Sequence, residues 1–597
     1  MRRAIVQALR TARRTPVCKV AGRRPSPLSF THNQVRGLRP YSGGRRPSYT
    51  PVALQSSMHF RKFSLAVIST AVASGAWYAY QGDGAQSLAT QVRGFASSAI
   101  ASAHAEGPSN PPRRGLLVNN EQFYTTTISE DQPLSKTTDD SERRMLNMLT
   151  PEQATEQLRK HEESYLVNRG KGVVRYDISQ VPSNSPIEDD HAELIVEVPS
   201  TLAANQNGEA SSDWSFWAVF DGHSGWTTSA KLRNVLISYV ARELNATYKA
   251  AATDPSILTP SSEAIDAAIK QGFVRLDHDI VNESVEKVLK AKSKRMAAEL
   301  LAPALSGSCA LLSFYDSQSN NLKVAVAGDS RAVLGRRGSS GKWTATALSE
   351  DLTGGTPSEI KRLQEEHPGE PYVTRNGRIL GQLEPSRAFG DAVYKWSKEI
   401  QDKIKGQFFG RTPSPHLKTP PYVTAEPVIT TTKIDPSKGD FVVMATDGLW
   451  EMLSNEEVVG LVGQWIEQQQ SGSSNKAWLQ GWFSFGGQKH LPVEAAGDVS
   501  TAGQRRPIRQ QQYDISGADS RFVVEDKNAA THLVRNAMGG KDKDMLCALL
   551  TLPSPYSRRY RDDVTVEVIF FGQGPDSRTV ERNEEASAAE KAPKSKL

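Results

Sequence analysis

Two apolar stretches of this 597-residue chain end in the same way, and this repeated ending constrains the fold most strongly. In "FWAVFDGHSG" an apolar run is followed by Asp221 and Gly222, and in "FVVMATDGLW" another is followed by Asp447 and Gly448. Short runs rich in Val, Phe and Ala and bounded by Gly and Asp are typical of buried β-strands. One strand ending in a carboxylate is ordinary, but two such strands predict a shared acidic edge.

A third acidic element, "RDDVTVEV", has the opposite order, because Asp562 and Asp563 precede its apolar run. In an antiparallel sheet, the ends of two strands and the beginning of an oppositely directed one can lie at the same edge. Carboxylates gathered there repel each other and favour a bound cation. Carboxylates, a backbone carbonyl and water are the ligands that Mg²⁺ or Mn²⁺ prefers. The Gly after two of these acids lets the backbone turn sharply.

Helical periodicity alternates with these strands. It appears after Gly225, over residues 261–292 and after Trp450, where Ser454 and Glu457 have the spacing of a capping box. Strands interspersed with long helices predict an α+β fold in which helices cover antiparallel sheet.

Basic charge is concentrated at the amino terminus. Residues 1–82 contain no acid and 14 of the 72 Lys and Arg residues, so the rest carries 58 basic against 66 acidic residues. A mildly acidic body is not typical of a nucleic-acid-binding protein, so we expect no nucleic-acid partner. Residues 1–50 are rich in Arg and contain Ser, which is typical of a mitochondrial transit peptide. A disordered basic arm is the alternative.

An uncharged stretch, residues 64–80, lies within the segment 51–83 and is flanked by basic and aromatic residues. Its length is the lower limit for a single membrane-spanning helix, with an apolar targeting segment as the alternative. The choice decides whether the body lies in the mitochondrial matrix or on the inner membrane facing the intermembrane space.

The amino-acid composition divides the rest of the chain into three regions. We predict a linker with a short helix over 84–165, the main domain over 166–572 with an irregular insertion at about 469–526, and a disordered tail over 573–597.

Further acids occur in similar turns: Glu188 and Asp189 in "SPIEDDHAEL", Asp329 in "VAGDSRAVLG" and Asp391 in "SRAFGD". Each alone is most simply a solvated turn residue. Taken along the chain, the motifs are "IEDD", "VFDGHSG", "GSCALL", "VAGDSRAVL", "SRAFGD", "MATDGLWEMLSNEEVV" and "RDDVTV", and they span about 400 residues. In these motifs and their order the chain resembles the metal-dependent protein phosphatase 2C family.

The resemblance implies a central antiparallel β-sandwich flanked by helices, an αββα arrangement. Members hydrolyse phosphoserine and phosphothreonine in proteins by attack of a water that bridges two ions of Mg²⁺ or Mn²⁺. Carried over by motif, the implied metal site has two or more ions and these residues: Asp221 as the bridging ligand, the Gly222 carbonyl, Asp447 and Asp562 as further ligands, Glu188 and Asp189 on metal-bound water, and Asp329 at a third ion.

His223 follows the bridging acid by two positions. The Ser or Thr oxygen that leaves phosphorus needs a proton, and an imidazole in this place is a candidate donor. A histidine held by local loop hydrogen bonds is the alternative.

Two differences from the usual family pattern indicate which branch of the family the chain resembles. Asn184 stands where many members place a phosphate-binding arginine, and Asp351 is kept without the basic residues that usually follow it. With "NGRILGQLEPSRAFGDAVYKW", these features resemble the mitochondrial pyruvate dehydrogenase phosphatases and their fungal relatives. That branch implies the phosphorylated E1 subunit as substrate. Another mitochondrial phosphoprotein, or a non-catalytic scaffold related to the phosphatases, remains an alternative.

Overall fold

The computed structural model describes residues 113–118, 123–128, 144–198, 212–253, 259–471, 491–494, 504–512 and 519–589. All of them belong to one compact unit, Phe63–Leu597. The predicted transit region 1–50 and candidate anchor 51–83 lie outside the described residues. Among the described helices, none has the length and apolar character needed to cross a membrane.

The strands are, in chain order, β1 Arg113–Val118, β2 Phe123–Ile128, β3 Arg144–Asn147, β4 Glu163–Arg169, β5 Val173–Val181, β6 Asp190–Val198, β7 Ser212–Phe220, β8 Gly222–His223, β9 Gly307–Ser308, β10 Ala310–Asp316, β11 Asn321–Ala327, β12 Arg331–Arg337, β13 Trp343–Ala347, β14 Thr374–Arg375, β15 Arg378–Ile379, β16 Phe389–Gly390, β17 Val428–Lys433, β18 Phe441–Ala445, β19 Val564–Phe571 and β20 Asp576–Arg582. The α-helices are α1 Pro151–Arg159, α2 Thr227–Ala252, α3 Ser262–His278, α4 Ser284–Ala291, α5 Lys294–Leu300, α6 Ala302–Leu305, α7 Pro357–Glu366, α8 Lys398–Gln407, α9 Asp447–Trp450, α10 Asn455–Ser471, α11 Ile508–Gln512, α12 Ala529–Ala537 and α13 Lys543–Thr551.

Two antiparallel sheets form the centre. The first has the strand order β17-β11-β10-β7-β6, and the second has the order β13-β12-β18-β19-β5-β4-β20. Side chains alternate between the faces of each strand. Trp217 and Val219 of β7 lie in the apolar layer between the sheets, whereas Phe216 and Ala218 lie under α2 and α3. The predicted α+β fold, a central antiparallel sandwich flanked by helices, is confirmed.

Helices cover both outer faces. Residues of α2 and α3 pack on the first sheet, and residues of α10, α12 and α13 pack on the second. The predicted capping box precedes α10: the Ser454 N–H donates to Glu457 Oε2 (2.9 Å), and the Glu457 N–H donates to Ser454 Oγ (3.2 Å). It satisfies N–H groups that a helix start leaves without partners.

Two predicted irregular segments contain strands. Within 84–165 the structure has the small sheet β2-β1-β3, held by buried Leu116 and Val118, in addition to the expected short helix α1. Within 573–597, β20 pairs with β4 at the edge of the second sheet, so the prediction of a disordered tail is wrong for Asp576–Arg582. The side chains of β20 are exposed or half-buried, and such an edge strand lacks an apolar signal.

Candidate active site

Three of the predicted acids come together where the sheets end. Asp221 follows β7 directly, Asp447 follows β18 after one residue, and Asp329 lies in the turn between β11 and β12. A carboxylate oxygen from each lies within 4.8 Å of those of the other two. We call these three residues the acid cluster. It draws one acid from each sheet and one from the connection between the sheets.

The acid cluster carries a strong electrostatic penalty. Burial raises the pKa of Asp221 well above its ordinary value, and the charges of Asp447, Asp189 and Asp329 raise it further. Burial and the charge of Asp329 raise the pKa of Asp447 to about 8. Grouped carboxylates of this kind fit a divalent metal site, because a cation removes the repulsion.

The turns after two of these acids require glycine. A Cβ atom on Gly222 would lie 2.0 Å from the carbonyl oxygen of Glu188, and one on Gly448 would lie 2.1 Å from that of Asp563. Both contacts are with backbone, which cannot move aside. The Asp-Gly pairs of the sequence therefore reflect close approach of neighbouring chain segments.

Glu188 lies beside the turn that carries Asp221. Its Oε1 accepts the Gly225 N–H (2.7 Å), and its Oε2 accepts the side-chain amide of Asn184 (2.8 Å). The amide of Asn184, the residue in the family's phosphate-binding position, is thus used to orient a carboxylate.

Asp189 is buried next to the ends of two strands of the second sheet. Its Oδ2 accepts hydrogen bonds from Thr446 Oγ1 (2.9 Å) and Thr565 Oγ1 (2.8 Å). Burial and the charge of Asp563 raise its pKa well above the ordinary value. Asp189 therefore lies close behind the acid cluster without being part of it.

Asp562 and Asp563 have different partners. Asp562 pairs with Arg558 and is not one of the three acids within 4.8 Å. Asp563 accepts the N–H groups of Asn184 and Glu188, each at 2.9 Å. Asp563 thus fixes the loop that carries Glu188, a role that the sequence pattern did not predict.

His223 has a carboxylate partner that is distant in sequence. Its Nε2 lies 2.6 Å from Asp391 Oδ2, and β8 pairs His223 with Gly307 of β9. A Cβ on Gly307 would lie 2.1 Å from His223 Nε2, so glycine leaves space for the pair. Burial alone would lower the pKa of His223, but Asp391 raises it. The sequence drew attention to Asp391 only as a turn acid.

Comparison with known proteins agrees with this geometry. The protein phosphatase 2C family model matches residues 195–478. The chain is 45% identical over 430 residues to a mitochondrial pyruvate dehydrogenase (acetyl-transferring)-phosphatase 1 of Saccharomyces cerevisiae, covering 70% of this chain and 72% of that protein. It is 44% identical over 420 residues to a protein phosphatase 2C homolog of Schizosaccharomyces pombe, covering 70% and 85%. The chain belongs to the protein phosphatase 2C family.

More distant similarity extends to other organisms. The human mitochondrial pyruvate dehydrogenase (acetyl-transferring)-phosphatase 1 is 30% identical over 487 residues, covering 71% of this chain and 83% of that protein. A crystal structure of serine-threonine phosphatase 2C from Toxoplasma gondii is similar with a TM-score of 0.36 and 15% identity, covering 68% of this chain and 97% of that one. Its membership of the protein phosphatase 2C family and its identity to the yeast phosphatase show that this protein is a metal-dependent protein serine/threonine phosphatase.

The predicted insertion brings a cation to the acid cluster of this phosphatase. Arg505 Nη1 lies 2.8 Å from Glu384 Oε1 and 3.9 Å from Asp447 Oδ2. The Arg505 N–H donates to Asp351 Oδ2 (2.9 Å), which Arg331 also holds. Burial lowers the pKa of Arg505, but the surrounding carboxylates raise it overall. Sequence reasoning missed Arg505 and Glu384, because the irregular insertion gave no signal for this contact.

Proposed function

We propose that this phosphatase removes phosphate from the E1 subunit of mitochondrial pyruvate dehydrogenase. The pyruvate dehydrogenase phosphatases of yeast and human to which the chain is similar support this substrate. They also support a mitochondrial location, and the acid-free, Arg-rich residues 1–50 agree with import.

The acid cluster carries the catalytic part of the proposal. We assign Asp221, Asp447 and Asp329 as metal ligands, with Asp562 and the carbonyl of Gly222 completing a site for two or more ions of Mg²⁺ or Mn²⁺. Bound there, the ions would lower the pKa of water and offset charge on the phosphoryl oxygens. Glu188 and Asp189, fixed by the hydrogen bonds described above, are positioned to orient water.

His223 acts in this proposal as the general acid. Its Nε2 is held by Asp391, so the proton that reaches the leaving Ser or Thr oxygen comes from Nδ1. The carboxylate partner favours the imidazolium form, which is the form that can donate. Asp391 is then a positioning residue that sets both the ring orientation and its charge.

The test is phosphate release from phosphorylated E1 by the full chain, measured with Mg²⁺, with Mn²⁺ and with chelator. Asp221→Asn serves as the matched inactive variant, and a phosphothreonine peptide serves as a generic substrate. We expect metal-dependent release from both substrates. Release from the peptide but not from E1 would refute the proposed substrate and keep the chemistry. Release from neither would refute the catalytic assignment.

A further inference from the structure

A second group of metal-ligand side chains lies inside the sandwich, apart from the acid cluster. His191 and Glu193 belong to β6 of the first sheet, and Glu567 belongs to β19 of the second. One ligand atom from each of the three lies within 4.8 Å of those of the other two. We call these three residues the interior triad.

The register of the strands shows why the interior triad converges. His191 lies opposite Val219 of β7, and Glu567 lies between Met444 of β18 and Ile178 of β5. These three neighbours belong to the apolar layer between the sheets. Since strand side chains alternate, Glu193 shares the inward face of His191. An apolar residue would be expected at position 567.

Glu567 is the unusual member. It is 0% exposed, and among the described residues no N–H or O–H group donates to its carboxyl oxygens. When it is protonated, it donates to the neighbouring carboxylate of Glu193. His191 and Glu193 are paired, because His191 Nδ1 lies 2.6 Å from Glu193 Oε1. Burying an ionised carboxyl group is costly, so such a group in a protein is protonated, paired with a cation or bound to a metal.

Charges around the triad are mainly negative. Burial raises the pKa of Glu567 well above its ordinary value, and Glu193 raises it further. Burial alone would lower the pKa of His191, but Glu193, together with Glu163 and Asp190, raises it to about 9. Beside His191 the pKa of Glu193 is lowered, so the metal-free triad is a charged His191–Glu193 pair next to a protonated Glu567. A bound cation would take the place of the protons on His191 and Glu567.

We propose that His191, Glu193 and Glu567 bind one structural divalent cation of the Zn²⁺, Co²⁺ or Mn²⁺ class. One imidazole and two carboxylates suit these ions, whereas the all-oxygen acid cluster suits Mg²⁺. Three protein ligands leave room for water, and the side chains of His191 and Glu193 are 19% and 16% exposed.

The position of the triad gives the ion a structural role. Asp189 precedes His191 by two residues, and its partner Thr565 precedes Glu567 by two residues. The triad thus lies one inward-facing position deeper than the Asp189–Thr565 contact. An ion there would join β6 to β19 and hold the start of β6, next to Glu188 and Asp189. This proposal is independent of the substrate proposed above.

The test uses the full chain, stripped with chelator and then saturated with Mg²⁺ so that the all-oxygen site is filled. Zn²⁺ retained after gel filtration is measured by elemental analysis, and Co²⁺ binding is followed by its visible absorption. Glu567→Gln removes one ligand at nearly constant volume, and His191→Asn removes the imidazole. Asp221→Asn and Glu163→Gln are the controls, the first in the catalytic site and the second on neighbouring β4.

We expect the wild type and both controls to retain about one Zn²⁺ per chain. Glu567→Gln and His191→Asn should bind Co²⁺ at least about tenfold more weakly, since even outer partners of a metal ligand contribute that much. Equal Zn²⁺ retention by Glu567→Gln and the wild type would overturn the proposal. Absence of retained Zn²⁺ in the wild type would also overturn it, and Glu567 would then be a protonated acid beside Glu193.

Discussion

Asp447→Asn should make the metal-free protein more stable while removing its activity. Burial, followed by the charges of Asp329 and Glu451, raises the pKa of Asp447 from 3.8 to about 8. Folding at pH 7 therefore requires this carboxyl group to take up a proton, which lowers the free energy of unfolding by about 4 kcal/mol. Asn has no such requirement, so the variant should be more stable by up to about 4 kcal/mol in chelator.

The pH dependence of this effect has a definite sign. Because the folded-state pKa is raised, the contribution of Asp447 to stability is fully present below pH 3.8 and is lost as the pH rises through about 8. The advantage of the variant should therefore grow from about 2 kcal/mol at pH 5 to about 4 kcal/mol at pH 7. Mg²⁺ should stabilise the wild type by about 3 kcal/mol at a hundred times its Kd, and the variant much less.

Urea unfolding followed by tryptophan fluorescence, at pH 5 and pH 7, with chelator and with Mg²⁺, would measure these differences. Glu365→Gln, which neutralises an exposed acid on α7, is the control and should change none of them. A variant at Asp447 that is less stable than the wild type in chelator would refute the reasoning. An advantage that is the same at both pH values would also refute it.

Three further outcomes test the site. Asp221→Asn should abolish phosphate release while leaving the circular dichroism spectrum unchanged, because it removes a ligand rather than core packing; turnover near the wild-type value would contradict the metal assignment. His223→Ala should slow hydrolysis of a phosphothreonine peptide by about a hundredfold or more, and that of nitrophenyl phosphate less, since a good leaving group needs little protonation; equal losses would count against His223 as the acid. Arg505→Gln should lower the urea midpoint in chelator, because the acids around it lose their cation. The exposed neighbour Arg506→Gln should not, and equal shifts would contradict this role.

The sequence predicted those features of the fold that leave a local pattern. The strands before Asp221 and Asp447 are apolar runs with glycine after the acid, and neither is an edge strand of its sheet. Strand β20 could not be predicted in this way, because its pairing with β4 uses backbone groups and its side chains are largely exposed. An edge strand is held by backbone hydrogen bonds to its neighbour, and its side chains can be polar on both faces.

The sequence predicted which acids form the candidate site, but it did not predict which residues these acids and His223 contact. His223 and Asp391 are 168 positions apart, and only the folded structure brings them together. Arg505 belongs to an irregular segment without helical or strand periodicity, so its position near the acid cluster could not be predicted. The sequence also did not separate the roles of Asp562 and Asp563, because both precede the same strand. Only the tertiary structure brings the N–H groups of the distant residues Asn184 and Glu188 to Asp563.

The acid cluster draws its members from both sheets, and among the described residues no strand ladder joins the two. The separation of the sheets is set by the apolar layer between them, including Trp217 and Met444. Metal–oxygen distances must be met to within about 0.2 Å, so the thickness of that layer also sets the spacing of Asp221 from Asp447. A substitution that thickens or thins the layer by one methylene would change metal affinity without altering a ligand. Loss of activity in this protein can therefore originate in core volume at positions that touch neither metal nor substrate.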